Sequence, residues 1–397
     1  MLIRKGFRFR VYPTPGQAAR LLAWESALRF LWNLALEQRL MGLSRCGKAK
    51  RYPTAFDQIN ELTELRSALP WLAAVPRNVC AQTLVELDKA FQRCFKRIAM
   101  SPHWKRRGRD VLGLCEPHPK VWRLDGSALR FPKLGNLRSV VHRPLEGKPK
   151  TCTIRRDGDQ WFAAVLCEIE VPTPAHRTEP RIAIDRGITN LLADSNGHRE
   201  PNPSHLERAL VRLAHAQRTV SRRKKGSQRR AKAAVHVARI HRKVRRQREH
   251  LLHSFSYDYA KSHGTVVIEK LNVQGMIKNH CLARRIAGAS WSKFSYMLSY
   301  KLTWSGGQLV EVPAAYSSQT CSVCGHVDAN SRHGERFCCA SCGYVEHADV
   351  NAAKVLLHRA SRSVLPVEAS GLPSLRSGKL KVKLRVPRRS LSESSSL

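Results

Sequence analysis

The 397-residue sequence predicts a multidomain α+β protein. Short strand-like segments alternate with long helical stretches along the chain, and a hydrophobic fraction of 42% is enough for more than one core. A compact group of cysteines also stands apart near the C-terminus, which indicates a small element with its own means of stabilisation.

The N-terminal part predicts a β domain interrupted by a helical one. Residues 1–11 alternate apolar and basic side chains, as in a strand with one solvated face. Apolar stripes at helical spacing then cover much of 12–109. From 110 to 175 short strands recur between Asp-Gly turns. An antiparallel barrel built from 1–11 and 110–175, with 12–109 inserted as helices, explains both patterns.

Three acidic residues follow apolar segments in the C-terminal part. Asp185 ends the strand-like Ile-Ala-Ile, Glu269 ends Val-Val-Ile, and Asp349 lies in the first turn of a predicted helix. Ligands of α/β sheets bind at the carboxyl ends of the strands. We therefore expect these carboxylates to hold Mg²⁺ or Mn²⁺, which prefer oxygen ligands. Two such ions could catalyse phosphodiester hydrolysis, with Asp185 bridging them.

Each of these acids taken alone fits a structural role better, as a turn, strand-end or N-cap residue. Their joint occurrence on strand, strand and helix favours a metal site. Glu311, on a third predicted strand, and Asp194, at a predicted turn, are the competing candidates.

The cysteines fall into two groups. Seven are scattered singly and fit buried small apolar residues. The other five lie between residues 321 and 342 and form two C-x-x-C pairs separated by fourteen residues. Four thiolates at this spacing fit tetrahedral structural Zn²⁺. The predicted ligands are Cys321, Cys324, Cys339 and Cys342. Cys338 could replace Cys339, although its spacing from Cys342 fits the motif less well.

The charge is strongly one-sided: 70 Lys and Arg face 30 Asp and Glu, a formal net charge of +40. Such an excess weakens a compact fold unless a polyanion neutralises it, and a long nucleic acid is the most direct candidate. An anionic membrane surface is the alternative, but no apolar run is long enough to span a bilayer. With no signal-peptide pattern at the N-terminus, we expect a cytoplasmic, nucleoid-associated protein.

The basic residues concentrate in the helical stretch 205–262. Between Glu207 and Glu249 sixteen residues are Lys or Arg and none is acidic. Solvated helix faces normally mix both signs, so this density predicts contacts with phosphates. The predicted nucleic-acid contacts are Arg222, Arg223, Lys224, Lys225, Arg229, Arg230, Arg242, Lys243, Arg245 and Arg246. The Ser-, Arg- and Lys-rich segment 361–397 predicts a disordered basic tail.

Four segments together resemble the TnpB family, insertion-sequence proteins related to type V CRISPR effector nucleases. They are AIDRGI at 183–188, VIEKLNV at 267–273, SQTCSVCG at 318–325 and ADVNAA at 348–353. The similarity extends over roughly residues 1–358. Arg186 departs mildly from the family, where an apolar residue or Lys is also common.

This resemblance implies an RNase H-like (RuvC) nuclease at 180–316 and 346–360 with a zinc-finger insertion at 317–345. It also implies a wedge-type β-barrel carrying the inserted helical domain. Such proteins bind a guide RNA transcribed from the transposon end and cut target double-stranded DNA. Carried over, Asp185, Glu269 and Asp349 are the catalytic residues. The alternatives are an RNA-guided DNA-binding protein without cleavage and an accessory transposase.

Overall fold

A computed structural model describes residues 1–44 and 52–363. The last helix reaches Ser363, so the predicted disordered tail lies outside the described residues from position 364 onward, as does Cys46. Within the described residues, no helix is long and apolar enough to cross a membrane.

The first sheet has seven antiparallel strands, and the N-terminal strand lies in its middle. The order is β2-β6-β7-β1-β5-β4-β3. In the described chain no pairing joins β2 to β3, so hydrogen bonds do not close the expected barrel; each of these end strands has only three residues. The strands are β1 (Leu2–Tyr12), β2 (Leu114–Glu116), β3 (Arg123–Asp125), β4 (Ala128–Phe131), β5 (Gly135–Val140), β6 (Lys148–Asp157) and β7 (Gln160–Glu170).

Four helices follow β1 and share one hydrophobic core with this sheet. Phe7 and Phe9 from β1 and Leu28 and Phe91 from the helices are fully buried in that core. The sequence did not reveal the second helix, which begins at a capping box between Thr54 and Asp57. The helices are α1 (Pro15–Ser44), α2 (Ala55–Ala68), α3 (Pro70–Ala73) and α4 (Arg77–Phe95).

The second sheet has five strands in the order β10-β9-β8-β11-β12. The strands β8, β11 and β12 are parallel, whereas β9 pairs antiparallel with β8 and β10 pairs antiparallel with β9. Ala183 and Val267 face the C-terminal helix α10 on one side, while Ile182 and Ile268 face the helices of the other side. The strands are β8 (Arg181–Asp185), β9 (Asn190–Asp194), β10 (Arg199–Pro201), β11 (Thr265–Lys270) and β12 (Gln308–Pro313), and α10 is Ala348–Ser363.

The basic stretch 205–262 forms two helices, α5 (His205–Arg222) and α6 (Gln228–Ser262), rather than one. Gly226 takes a positive φ of 85° in the turn, and the Ser227 side chain caps α6 by accepting from the Arg230 amide. The helix α5 folds back onto α6 through Leu213, Ala216 and Ile240.

Three helices between β11 and β12 were not predicted: α7 (Val273–Met276), α8 (Ala283–Ala289) and α9 (Trp291–Ser305). The buried side of α9, with Phe294, Leu298 and Leu302, packs against the five-stranded sheet. The cysteine-rich segment adds a small antiparallel sheet of β13 (Arg332–His333), β14 (Arg336–Cys338) and β15 (Val345–His347).

Candidate functional site

Three acidic side chains meet at the carboxyl edge of the five-stranded sheet. Asp185 is the last residue of β8, and Glu269 lies beside it on β11, because Ile184 pairs with Ile268 in parallel register. The helix α10 starts above this edge and carries Asp349 in its first turn. Asp185 and Asp349 line one cleft of about 410 Å³ together with Arg332. The fold thus brings together residues from distant parts of the chain.

These carboxylates strongly influence one another. Burial raises the pKa of Asp185 well above its usual range, and the negative charges of Glu269 and Asp349 raise it further. Burial also raises the pKa of Glu269, although the adjacent Arg186 guanidinium opposes the change. Like charges at close range disfavour ionisation unless a cation neutralises them. The cluster is therefore suited to a divalent cation.

Arg186 holds Glu269 from one side. Its backbone N–H and its Nε donate to Glu269 Oε1 at 3.2 and 3.1 Å, and its Nη2 donates to the Glu269 carbonyl. Both side chains are buried, and a further bond from Arg186 reaches Ser295 Oγ on α9 at 2.5 Å. Glu269 Oε2 is buried without a hydrogen-bond partner, as expected of an oxygen that can bind a cation.

Asp349 is held by two donors. Arg332 Nη2 lies 2.8 Å from Asp349 Oδ1, and Asn190 Nδ2 lies 3.0 Å from Asp349 Oδ2. Arg332 comes from the cysteine-rich segment and Asn190 from β9, so three separate elements converge on this carboxylate. The contacts of these partners and of Arg186 with the acids were not predicted from the sequence, because no local pattern connects them to the acids.

The two competing acids have other environments. Asp194 is buried and accepts hydrogen bonds from the backbone amides of Asn196 and His198, each at 3.0 Å, and from Tyr259 Oη at 2.9 Å. It is therefore a fully engaged turn residue, as expected. Glu311 is exposed on the edge strand β12.

The acidic side chains are less tightly grouped than the cysteines. In the described part of the chain, the cysteines are the group whose ligand atoms all lie within 4.8 Å of one another, and the three carboxylates are spread more widely. Their oxygens are nevertheless the kind of ligand that Mg²⁺ and Mn²⁺ prefer.

The four predicted cysteine ligands form the second centre. Cys321, Cys324, Cys339 and Cys342 come together, with Sγ–Sγ distances of 3.7 Å for Cys321–Cys342 and 3.6 Å for Cys324–Cys339. Cys338 is not part of the group. Backbone N–H donation, chiefly from Cys342, lowers the pKa of the Cys339 thiol to about 6, which favours the thiolate that Zn²⁺ binds.

This cysteine centre is fastened to the helix that carries Asp349. The buried Asn351 side chain accepts from the Ser322 amide at 2.9 Å and donates to the Thr320 carbonyl at 2.8 Å. The Ala348 amide also donates to the Glu335 carbonyl at 2.8 Å. The start of α10 is thus bonded to both sides of the cysteine-rich segment.

The predicted nucleic-acid contacts separate into two sets. Those at the turn between α5 and α6 are exposed, except for the half-buried Arg230; the exposed ones are Arg222, Arg223, Lys224, Lys225 and Arg229. Lys243 on α6 is also exposed. This set is available to phosphates.

The second set contacts the tip of the β6–β7 hairpin. Arg242 is buried, and its Nη1 lies 2.8 Å from Asp159 Oδ1. Arg245 pairs with Asp157, and Arg246 donates to Gln160 Oε1 at 3.1 Å. These three arginines fasten α6 to the seven-stranded sheet.

Comparison with known proteins gives one consistent set of relatives. Family models match residues 164–280 ("Probable transposase"), 291–356 ("Cas12f1-like, TNB domain") and 1–43 ("Helix-turn-helix domain"). The last range is a strand and a single helix in this structure. A "Putative RNA-guided DNA endonuclease" of Streptomyces pristinaespiralis is 35% identical over 363 residues, covering 89% of each chain.

A second relative, the "Putative RNA-guided DNA endonuclease InsQ" of Escherichia coli (strain K12), is 29% identical over 373 residues, covering 89% of this chain and 91% of its own. Among solved structures, a Cas12f1 chain from a complex with single-guide RNA and target DNA matches with a TM-score of 0.55 at 13% identity. The match covers 89% of this chain and 98% of that one. At this identity the likeness concerns the fold alone.

Proposed function

This chain belongs to the TnpB family, and on that premise we propose that it is an RNA-guided DNA endonuclease of an insertion sequence. A transposon-derived guide RNA selects the target, and Asp185, Glu269 and Asp349 form the cleavage site for double-stranded DNA. The observation that carries the proposal is the convergence of these three acids at one sheet edge in a chain of net charge +40.

We assign the proposed domains along the same boundaries as the sequence patterns. Residues 180–316 and 346–360 correspond to an RNase H-like, RuvC-type nuclease, and 317–345 to its zinc-finger insertion. Residues 1–11 and 110–175 correspond to the wedge domain, with the helical domain 12–109 inserted in it. The Cas12f1-like fold supports this assignment.

The chemistry follows from the donors at the cleft. Two divalent ions, Mg²⁺ or Mn²⁺, would supply an activated water and stabilise the leaving oxygen in phosphodiester hydrolysis. Asp185, whose charge interacts with both other acids, would hold these ions together with Asp349 and with Glu269, which offers its unpartnered Oε2. Arg186 fixes the orientation of Glu269, and Asn190 and Arg332 fix that of Asp349.

The cysteine centre has a supporting role in this proposal. Zn²⁺ held by Cys321, Cys324, Cys339 and Cys342 would order a segment that buries few apolar side chains of its own. That segment presents Arg332 to the cleft and is bonded to the start of α10. We therefore assign it a positioning function for Asp349. All four coordination positions are filled by protein thiolates, which is typical of structural zinc.

The exposed positive charge on α5 and α6 supports the proposal that this chain binds a guide RNA and target DNA. The exposed arginines and lysines at the α5–α6 turn would contact backbone phosphates, which provide affinity without sequence readout.

The proposal is tested on protein purified with the RNA that accompanies it. Sequencing that RNA gives the guide, and a plasmid carrying the matching target is then incubated with Mg²⁺. Linear plasmid is the expected product, and the Asp185→Ala variant should retain RNA while cleavage falls at least a hundredfold. Retention of plasmid without cutting would instead support a guided DNA-binding protein, and joined products would support an accessory transposase. The Glu311→Ala variant is a control for loss of one acidic side chain, because Glu311 is exposed on strand β12 of the same sheet.

A further inference from the structure

A second cavity adjoins the acidic cleft. It has a volume of about 290 Å³ and lies among β9, the start of α5, α6 and α8. Ile188 and Thr189 line both spaces, so this short segment after β8 is their common wall. Neither the three acids nor the four clustered cysteines line this cavity.

Its lining combines apolar and positively charged side chains. Leu206, Leu251 and Ala289 contribute apolar surface, and Arg248, Arg284 and Arg285 contribute positive charge. Its one acidic side chain, Glu207, pairs with Arg285 at 3.2 Å. The cavity therefore carries a net positive charge beside a site that is negative.

Arg248 can donate further hydrogen bonds to a ligand in the cavity. It is half-buried, and its Nη1 donates to Ser290 Oγ at 3.2 Å and to the Ala287 carbonyl at 3.4 Å. His205 also lines the cavity, and burial and nearby arginines lower the pKa of its imidazole. A neutral imidazole offers one donor and one acceptor, which are the groups that a nucleobase edge requires.

We propose that this cavity is a subsite that receives one nucleobase of the DNA strand whose phosphodiester lies at Asp185, Glu269 and Asp349. The inference rests on the proposed endonuclease function and adds a substrate-positioning site to it. A polymer held at the acids continues on both sides of the scissile bond, and the shared wall of Ile188 and Thr189 places this cavity next to the acidic cleft.

The volume selects a single base. It is comparable to the smallest of the small-ligand sites, so it suits one base. The strand at the acids must then be unpaired, with a base turned away from its neighbours. The apolar side chains contact the face of the base, and the arginines bind the flanking phosphates.

Gly288 provides a direct test of occupancy. It lies on α8 and lines the cavity, and an added Cβ would meet no atom within 4 Å. Gly288→Phe therefore fills the space without a clash at Cβ. Gly288→Ala is the matched control, because it also replaces the helical glycine but leaves most of the volume empty.

The first experiment measures binding without cleavage. The guide complex of the Asp185→Ala protein, with no added Mg²⁺ or Mn²⁺, binds target strands that carry 2-aminopurine at one position at a time across the cleavage region. We expect a severalfold fluorescence change at a single position, retained in Asp185→Ala/Gly288→Ala and lost in Asp185→Ala/Gly288→Phe. A response at no position, or one that persists in Asp185→Ala/Gly288→Phe, overturns the subsite. So does an equal response to free 2-aminopurine nucleotide, which would indicate a mononucleotide site.

The second experiment measures cleavage of strands with one abasic nucleotide. We expect the rate to fall about tenfold at the same position in the wild type and in Gly288→Ala, and to be independent of the abasic position in Gly288→Phe. Wild-type cleavage with a flat abasic profile rejects the subsite and leaves the endonuclease proposal intact. A wild-type complex that binds without cutting rejects the endonuclease proposal, while the fluorescence scan still decides the subsite.

Discussion

The two candidate metal centres differ in how the chain assembles them. The four cysteines come from two local pairs and lie within 4.8 Å of one another, with no arginine or lysine bonded to their sulfur atoms in the described residues. The three carboxylates come from two strands and a helix, and two of them are already held by arginines. The four cysteines are thus brought together mainly by their spacing along the chain, whereas the three acids are brought together by the surrounding fold.

This difference predicts that removal of one cysteine ligand has the largest effect. Cys339→Ser should abolish stoichiometric zinc binding, because the apparent binding free energy of structural zinc, about 10–16 kcal/mol, depends on a complete ligand set. Loss of order in the segment would also release Arg332 and the start of α10, so cleavage should fall by more than a hundredfold. Metal analysis and hydrogen exchange over 320–347 are the measurements.

Cys338→Ser is the matched control, since Cys338 precedes Cys339 and lies outside the ligand group. It should keep one zinc per chain and near wild-type cleavage. Equal zinc loss in both variants would contradict the ligand assignment.

The next largest effect should come from Arg186. Arg186→Leu leaves Glu269 buried beside other acids without its counter-charge, so the free energy of unfolding should fall by about 3–5 kcal/mol. Denaturant unfolding of the zinc-loaded protein measures this. Arg186→Lys keeps the charge but not the paired donors, and it should be intermediate. A loss below about 1 kcal/mol in Arg186→Leu would mean that the acidic centre does not depend on this ion pair.

The same contrast explains how much could be predicted from the sequence. Two C-x-x-C pairs specify a ligand set by spacing alone, and all four cysteines meet as predicted. The positions of Asp185 and Glu269 at the edge of a sheet were predicted from the sequence, because each acid follows an apolar strand segment. Arg186 was noticed only as a family departure. Its bond to Glu269 depends on a parallel register between segments more than 80 residues apart, which no local pattern encodes.

The fold shows a similar division. The N-terminal strand and the run of short strands within 110–175, including β4 and β7, were found. The helices α7 to α9 were missed, since their apolar faces pack on a sheet assembled from elsewhere. The ten predicted phosphate contacts looked alike in sequence, yet Arg242 is buried against Asp159 while Lys225 is exposed. Tertiary partners decide which arginines remain available.

Asp159 provides a surface counterpart to Glu269, because arginines also hold it but no metal is proposed there. Burial opposes ionisation, yet hydrogen bonds from Arg239 and Arg242 prevail and lower the pKa of Asp159 to about 2. Asp159→Asn should lower the free energy of unfolding by about 1–3 kcal/mol at pH 7, since the buried Arg242 loses its anion. The pKa is depressed on folding, so this contribution is present above pH 3.8 and disappears as the pH falls through about 2.

Denaturant unfolding at pH 7, pH 3 and pH 2 measures the change. Asp125→Asn is the control, because Asp125 is exposed and its ion pair with Arg123, at 3.4 Å, is a surface pair expected to contribute less than about 1 kcal/mol. An Asp159→Asn difference that stays constant down to pH 2 would show that packing, not the carboxylate charge, stabilises this contact.

The smallest stability effect should come from Arg332, which separates positioning from folding at the acidic centre. Its side chain is 33% exposed, so the ion pair with Asp349 should contribute less than about 1 kcal/mol to stability. Cleavage by Arg332→Ala should nevertheless fall about tenfold or more, because Asp349 loses a donor and the cleft loses a cation at the point where a phosphodiester enters. Arg336→Ala on the adjacent strand β14, where Arg336 is exposed, should leave both quantities unchanged. Paired unfolding and cleavage measurements decide the matter: a stability loss as large as that of Arg186→Leu would make Arg332 a structural residue, and wild-type cleavage would remove it from the site.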